Sequence, residues 1–292
     1  MERIQSAIEK ARKARTKAET RAKGDRSVKA AEIEAVPADQ TLNSQHSVSA
    51  QEDAERNLAW QKIKQLKLDD RHLQISRIVA HKSCQEANPY DVLRTKLLQQ
   101  MNKNGWKRVA ITSPTAGCGK STICANIAFS LARYVDFRVM VVELDLRRPS
   151  LKKIIGLAEK HQFSQVLKES DVAENHMVRI GENLIFATNS SSVSNAAELL
   201  QSVGAASVLD KLEATYRPNI VIFDTAPILT GDDTLEILDQ VDCALLVAEA
   251  ESSRSSEIDK CEHDLSERTN CAGIVLNKCR YMDRGDSYYY SP

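Results

Sequence analysis

The stretch Arg108–Thr122, RVAITSPTAGCGKST, decides the fold. Val109 to Thr112 read as a short apolar strand, Pro114 and two glycines as a loop, and Gly119-Lys120-Ser121-Thr122 as the opening of a helix. Strand, glycine-bearing turn and helix in that order are the layout of a phosphate-binding loop. Gly117 and Gly119 lack a Cβ, so the backbone there can approach an anion closely. The N–H groups of the loop and of the helix start then form an anion nest, reinforced by the positive end of the helix dipole. In such a loop Lys120 reaches the β- and γ-phosphates and the Ser121 hydroxyl sits on Mg²⁺. Pro114 stands where the strict pattern has its first glycine.

Around this loop strands and helices alternate. Apolar strands are expected at 108–112, 138–144, 183–187, 219–224, 243–248 and 272–277, and helices at 88–101, 121–134, 194–214 and 254–268. Near-continuous Val/Ile/Leu strands separated by helices imply a parallel sheet covered on both faces, an α/β architecture with its ligand at the carboxyl ends of the strands. The second strand runs into Glu143-Leu144-Asp145-Leu146-Arg147-Arg148-Pro149 and is expected beside the strand of the loop. Glu143 and Asp145 lie two residues apart, so on a continuing strand both face one side and lean toward the same metal-bound phosphate. The strand 219–224 ends in Asp224, the usual position for an outer partner of nucleotide-bound Mg²⁺, with Asp233 a weaker candidate nearby. The plainer reading makes Asp145 and Asp224 caps of the turns that follow them.

Composition narrows the function classes. The chain has 292 residues with forty basic and forty acidic side chains, so no net charge argues for nucleic acid, and aromatics at 5% offer no base-stacking surface. Seven cysteines without a Cys-x-x-Cys pair suit a reducing cytosol. Cys118, inside the loop, reads as structural, although its oxidation could block the site. No apolar run is long enough to span a bilayer, and the expectation is a cytoplasmic protein that meets a membrane through a partner or a surface helix. Residues 1–23 are rich in helix formers, with Ile4, Ile8 and Ala11 on one face and Arg12, Lys13, Arg15 and Lys17 forming a basic run. Residues 24–81 read as a polar linker followed by a docking segment in which Leu58, Trp60, Ile63, Leu66 and Leu68 pack as a helix or an extended arm. Residues 281–292, YMDRGDSYYYSP, hold four of the seven tyrosines: Tyr281, Tyr288, Tyr289 and Tyr290. They read as a mobile tail that presents phenols to an active site, or as an ordinary packed end.

Taken together, Ser113–Thr122, Val141–Pro149, Val221–Asp224 and the tyrosine cluster resemble the bacterial tyrosine kinases (BY-kinases) of capsule and exopolysaccharide export. The three stretches correspond to the family's Walker A, Walker A′ and Walker B motifs, and Leu276-Asn277-Lys278 also resembles it. The resemblance covers about residues 82–292 and implies a P-loop NTPase domain of the MinD/ParA type at 82–280. It implies an ATP- and Mg²⁺-dependent protein-tyrosine autokinase. Thr115, Ala116, Gly117, Cys118, Gly119, Lys120, Ser121, Thr122, Arg147 and Asn277 would bind ATP. Ser121, Asp145 and Asp224 would hold the metal. Lys120, Asp145, Asp224 and Glu143 would carry the chemistry, with autophosphorylation at Tyr281, Tyr288, Tyr289 and Tyr290. The implied partners are a transmembrane polysaccharide co-polymerase that recruits and activates the chain, further copies of the chain, and a phosphotyrosine phosphatase. The family's first A′ acid is usually Asp, where this chain has Glu143. Its Glu-x-x-Arg-x-x-Arg pattern before Walker A reads here Asn88, Asp91 and Arg94. The same loop and acids also suit a MinD-type switch ATPase, or an adaptor that binds nucleotide without transferring phosphate.

Overall fold

In the computed structural model, which describes residues 53–280, the apolar runs assemble into one seven-stranded sheet. The strands are β1 (Arg108–Thr112), β2 (Val139–Glu143), β3 (Met177–Ile180), β4 (Leu184–Ala187), β5 (Ile220–Asp224), β6 (Cys243–Glu249) and β7 (Asn270–Asn277). Their order is β3-β4-β2-β5-β1-β6-β7, parallel except for the antiparallel β3–β4 pair. β5 therefore lies between β1 and β2, and the expected neighbourhood of β2 and the loop strand does not occur.

Strand alternation sends side chains to two cores. Val109, Ile111, Val141, Ile222 and Leu245 join one cluster, and Ala110, Val142, Phe223 and Leu246 join the other. The first is covered by α3 (Asn88–Asn104) and α4 (Lys120–Ala132), the second by α7 (Ala196–Gln201), α8 (Val203–Tyr216) and α10 (Ser255–Ser266). α4 is buried along almost its whole length, so its polar residues must be paired inside the protein. Asn126 does this completely. Its Oδ1 accepts the N–H groups of Val79 and Ala80, and its Nδ2 donates to the carbonyls of Arg77 and Thr122. One side chain thus ties the incoming segment to the helix that carries the loop. Asn126→Ala is expected to cost about 2–3 kcal/mol, because two N–H groups at 79–80 lose their acceptor. A urea denaturation series would measure it.

Two differences from the sequence reading, and one alternative it left open, have identifiable causes. β3 is absent from the expected strands, because Arg179 interrupts an already short run; its buried guanidinium donates through Nη1 to the Gly181 carbonyl and to Glu182, while Nε has no partner. The helix expected over 194–214 is two helices. Ser202 adopts an extended ψ of 141° and its hydroxyl accepts the Ala205 N–H, so it caps α8 rather than continuing α7. The docking segment is both helix and arm: helix α1 over 53–62, an extended stretch, and α2 (Asp70–Ile75). Trp60 and Ile63 are buried in the core, and the Trp60 indole N–H donates to the Tyr216 carbonyl at 2.7 Å, whereas Leu58 faces outward. Between them Lys64–Leu66 pairs with Arg179 through two backbone hydrogen bonds, covering the open edge of β3. The remaining helices are the short α5 (Leu151–Ile154), α6 (Ser164–Leu167) and α9 (Asp233–Leu238). The basic run at 1–23 and the tyrosines of 281–292 lie outside the described residues.

Candidate active site

β1, flanked by β5 and β6 in the sheet, enters the loop, and the loop leaves it as α4. Gly117 and Gly119 take φ of +93° and +90°, a region that side-chain-bearing residues avoid. At Gly119 a Cβ would also lie 2.4 Å from Asn277 Nδ2. That amide is at the end of β7 and donates to the Cys118 carbonyl at 2.8 Å, so the last strand fastens the loop from one side. From the other side the turn after β5 does the same: the Ile228 and Leu229 N–H groups donate to the carbonyls of Ser113 and Pro114. The Thr115 carbonyl accepts from the Ser113 hydroxyl at 2.7 Å and from the Cys118 thiol, and Cys118 is buried. The loop is thus held in shape by main-chain contacts. Its curvature around Ala116–Gly119 leaves space where a Cβ at Gly117 would meet nothing within 4 Å.

Above the loop three charged groups converge. The Lys120 ammonium donates to Asp145 Oδ2 at 2.6 Å, and only 12% of its side chain is exposed. Burial works against the ammonium, but the charges of Asp224 and Asp145 more than offset it and hold its pKa above the usual lysine value. Asp145 is fixed a second time by the Arg148 N–H on Oδ1. Asp224 is fully buried at the end of β5, and neither of its carboxylate oxygens accepts a hydrogen bond. Burial, with added repulsion from Asp145, raises its pKa to about 6, against the opposing pull of Lys120 and of the Ser121 hydroxyl, which lies near the carboxylate without closing a well-formed hydrogen bond to it. A buried carboxylate with no partner is costly unless a ligand completes it. A divalent cation beside the Ser121 hydroxyl fits that need.

Glu143 does not join this group as the spacing suggested. The Leu144 and Asp145 N–H groups both donate to the Asp224 carbonyl, which ends the strand alternation after Glu143. The Glu143 carboxylate turns instead to three backbone N–H groups, those of Ser150 and Leu151 on Oε1 and of Asn189 on Oε2, at 2.5–2.7 Å. Burial raises its pKa to about 7 despite those donors. Arg147 is exposed and forms a two-pronged ion pair with Asp233, which assigns to Asp233 a partner that the sequence did not indicate. Arg94 is buried against α4, donating to the Ser130 carbonyl and hydroxyl, and Asp91 accepts from Ser130 and Arg133. Tyr281, Tyr288, Tyr289 and Tyr290 lie outside the described residues.

Parallel sheet, loop and flanking acids define a P-loop nucleotide-binding protein of the ParA type. A ParA family profile, described as NUBPL iron-transfer P-loop NTPase, matches residues 106–285. The tyrosine-protein kinase CpsD of Streptococcus pneumoniae is 30% identical over 198 residues, 65% of this chain and 82% of CpsD. The tyrosine-protein kinase YwqD of Bacillus subtilis is 27% identical over 208 residues, 69% of this chain and 84% of YwqD. Among solved structures, the kinase domain of the Escherichia coli tyrosine kinase ETK superposes with a TM-score of 0.60 at 23% identity, over 68% of this chain and 78% of that one. That last likeness is one of fold. The chain belongs to the ParA-type P-loop NTPases, and within them to the bacterial tyrosine kinases. No helix among the described residues is long and apolar enough to cross a membrane.

Proposed function

We propose that this chain is an ATP- and Mg²⁺-dependent autokinase that phosphorylates Tyr288, Tyr289 and Tyr290, with Tyr281, on a neighbouring copy. The observation that carries the reading is the unpartnered Asp224 carboxylate next to the Lys120–Asp145 pair at the mouth of the loop. Loop N–H groups from Thr115 to Thr122 would cradle the phosphates, with Asn277 bracing the loop and Arg147 at the rim. Ser121, Asp145 and Asp224 would hold Mg²⁺, which when bound supplies charge neutralisation on the phosphates. Lys120 offsets the charge that develops on the transferring phosphoryl group. A tyrosine phenol has a pKa of ~10 and needs a base at neutral pH. In this reading Asp224, whose pKa is raised to about 6, or Asp145 would receive that proton. Glu143 would hold the chain around them, its carboxylate accepting three backbone N–H groups.

The resemblance to the capsule and exopolysaccharide kinases supports a role in controlling polymer assembly and export. There the chain would work with a membrane-spanning activator at the inner face of the membrane and with a phosphatase that resets it. Purified full chain incubated with Mg-ATP is expected to gain mass in ~80 Da steps, as phosphate adds to tyrosines. Tyr288, Tyr289 and Tyr290 changed together to Phe are expected to remove most of that gain. Undiminished labelling of the triple variant would place the acceptors elsewhere, and steady phosphate release with no mass gain would identify a switch ATPase.

A further inference from the structure

A pocket lies along the segment that follows Asp145, from Pro149 onward, and the reading above leaves it without a role. It has a volume of about 460 Å³, within the ~300–1,000 Å³ of small-ligand sites, and its walls include His72, Pro149, Lys152, Lys153, Gly156 and Ser190. No acid lines it. Lys152 and Lys153 form no ion pair among the described residues. In a chain with no net charge, cations this close together and unpaired stand out.

The pocket is built, and is more than a gap between surface lysines. Its two walls, the turn 149–157 and the stretch after β4, are tied from beneath by Glu143, which takes N–H groups from Ser150 and Leu151 on one side and Asn189 on the other. The third wall is the His72 ring. Its Nε2 lies 2.7 Å from the Lys153 carbonyl and donates to it. The ring packs so closely on Gly156 (φ +73°) that a Cβ there would lie 2.7 Å from its Cδ2. The longer arm of Glu143 thus acts on the shape of this pocket.

We propose that this pocket binds a phosphotyrosine, the phosphoryl group meeting Lys152 and Lys153 with the Ser190 hydroxyl at its edge. An already modified tyrosine of a substrate tail would be held there while a neighbouring tyrosine enters the catalytic site. Pro149 is four residues beyond Asp145, so their Cα atoms are at most ~14 Å apart. Adjacent side chains of an extended peptide point to opposite sides, and a run such as Tyr288–Tyr290 can therefore serve both places at once. Each phosphate adds ~1.5–2 negative charges, against which two unpaired ammonium groups are the natural counterpart. This inference rests on the kinase reading for its biological use, but the binding itself can be measured without catalysis.

The test uses fluorescent dodecapeptides of the sequence 281–292, unmodified or phosphorylated at Tyr289, titrated into dephosphorylated full chain with Mg-ADP and followed by anisotropy. The phosphopeptide is expected to bind at least ~10-fold more tightly, a preference that falls with added salt. Lys152→Ala with Lys153→Ala should abolish the preference while fluorescent-nucleotide affinity, which reports the folded loop, stays within about twofold. The single variant Lys152→Gln should lower the preference in part. A phosphopeptide in which Asp283 and Asp286 are Asn should keep it. Equal binding of the two peptides to the wild type, a preference that survives the double variant, or its loss with the Asn peptide would each overturn the proposal. Phosphate-dependent binding in a chain that gains no mass from Mg-ATP would sustain the pocket and reject the kinase reading.

Discussion

Lys120→Met is expected to reduce phosphoryl transfer by about 10²–10³-fold, read as the loss of ATP-dependent mass gain and of phosphotyrosine signal. The size follows from what is removed. Preorganised charge aimed at a developing negative group in a water-poor site is worth about 3–4 kcal/mol, and Lys120 is mostly buried and already directed by Asp145. The substitution has a second consequence. Asp145 and Asp224 keep their positions but lose the cation that both face, and breaking one side of a buried ion pair costs about 3–5 kcal/mol of stability. The nucleotide-free variant should therefore melt well below the wild type. Adding Asp224→Asn to Lys120→Met should recover part of that stability and none of the activity. Strictly additive melting shifts in this double-mutant cycle would mean that Lys120 and Asp224 do not interact.

Asp224→Asn alone is the second large expectation, and its signs are opposite for stability and function. Asp224 is a buried carboxyl whose pKa stands at about 6 against an ordinary 3.8. Below pH ~4 it is protonated in both folded and unfolded chains, and the substitution changes little. As the pH rises through about 6, the folded wild type acquires a buried charge whose desolvation outweighs the pull of Lys120, and it loses stability that the amide retains. At pH 8, without nucleotide, the variant is expected to be more stable by about 1–3 kcal/mol. Mg-ATP should stabilise the wild type far more than the variant, because ligand that binds only the folded protein adds to its stability, and phosphoryl transfer by the variant should be almost absent. Melting curves at pH 4 and pH 8, with and without Mg-ATP, would test this. A variant less stable than the wild type at pH 8 would show that the carboxylate is compensated in the nucleotide-free protein.

Much of this was legible in the chain because the signals are local. Gly117, Gly119, Lys120 and Ser121 announce the loop through backbone freedom and side-chain type within a few residues. The Val/Ile/Leu runs of β1, β2, β5 and β6 announce a sheet buried on both faces, and each ends near its expected place. What was misjudged depended on partners far away in the chain. β3 is hidden by Arg179, whose Nη1 donates to Gly181 and Glu182 and whose backbone pairs with the arm at 64–66. The two-residue spacing of Glu143 and Asp145 suggested a shared face. The Asp224 carbonyl, from a strand eighty residues later, takes two successive N–H groups and turns the chain between them.

The sequence by itself determined the class of the fold, the phosphate-binding loop, and the acids at strand ends, since periodicity and glycine chemistry act over one turn or one strand. The tertiary structure alone decided which acids face the site. Lys120 meets Asp145 across a sheet order that places β5 between their strands, Asp224 is left without a partner, Arg147 is claimed by Asp233, and Glu143 is drawn away to clamp a basic pocket. Those outcomes turn on which carbonyls and amides are brought within 3 Å of one another by strand order and loop packing, and residue spacing along the chain carries no information about that.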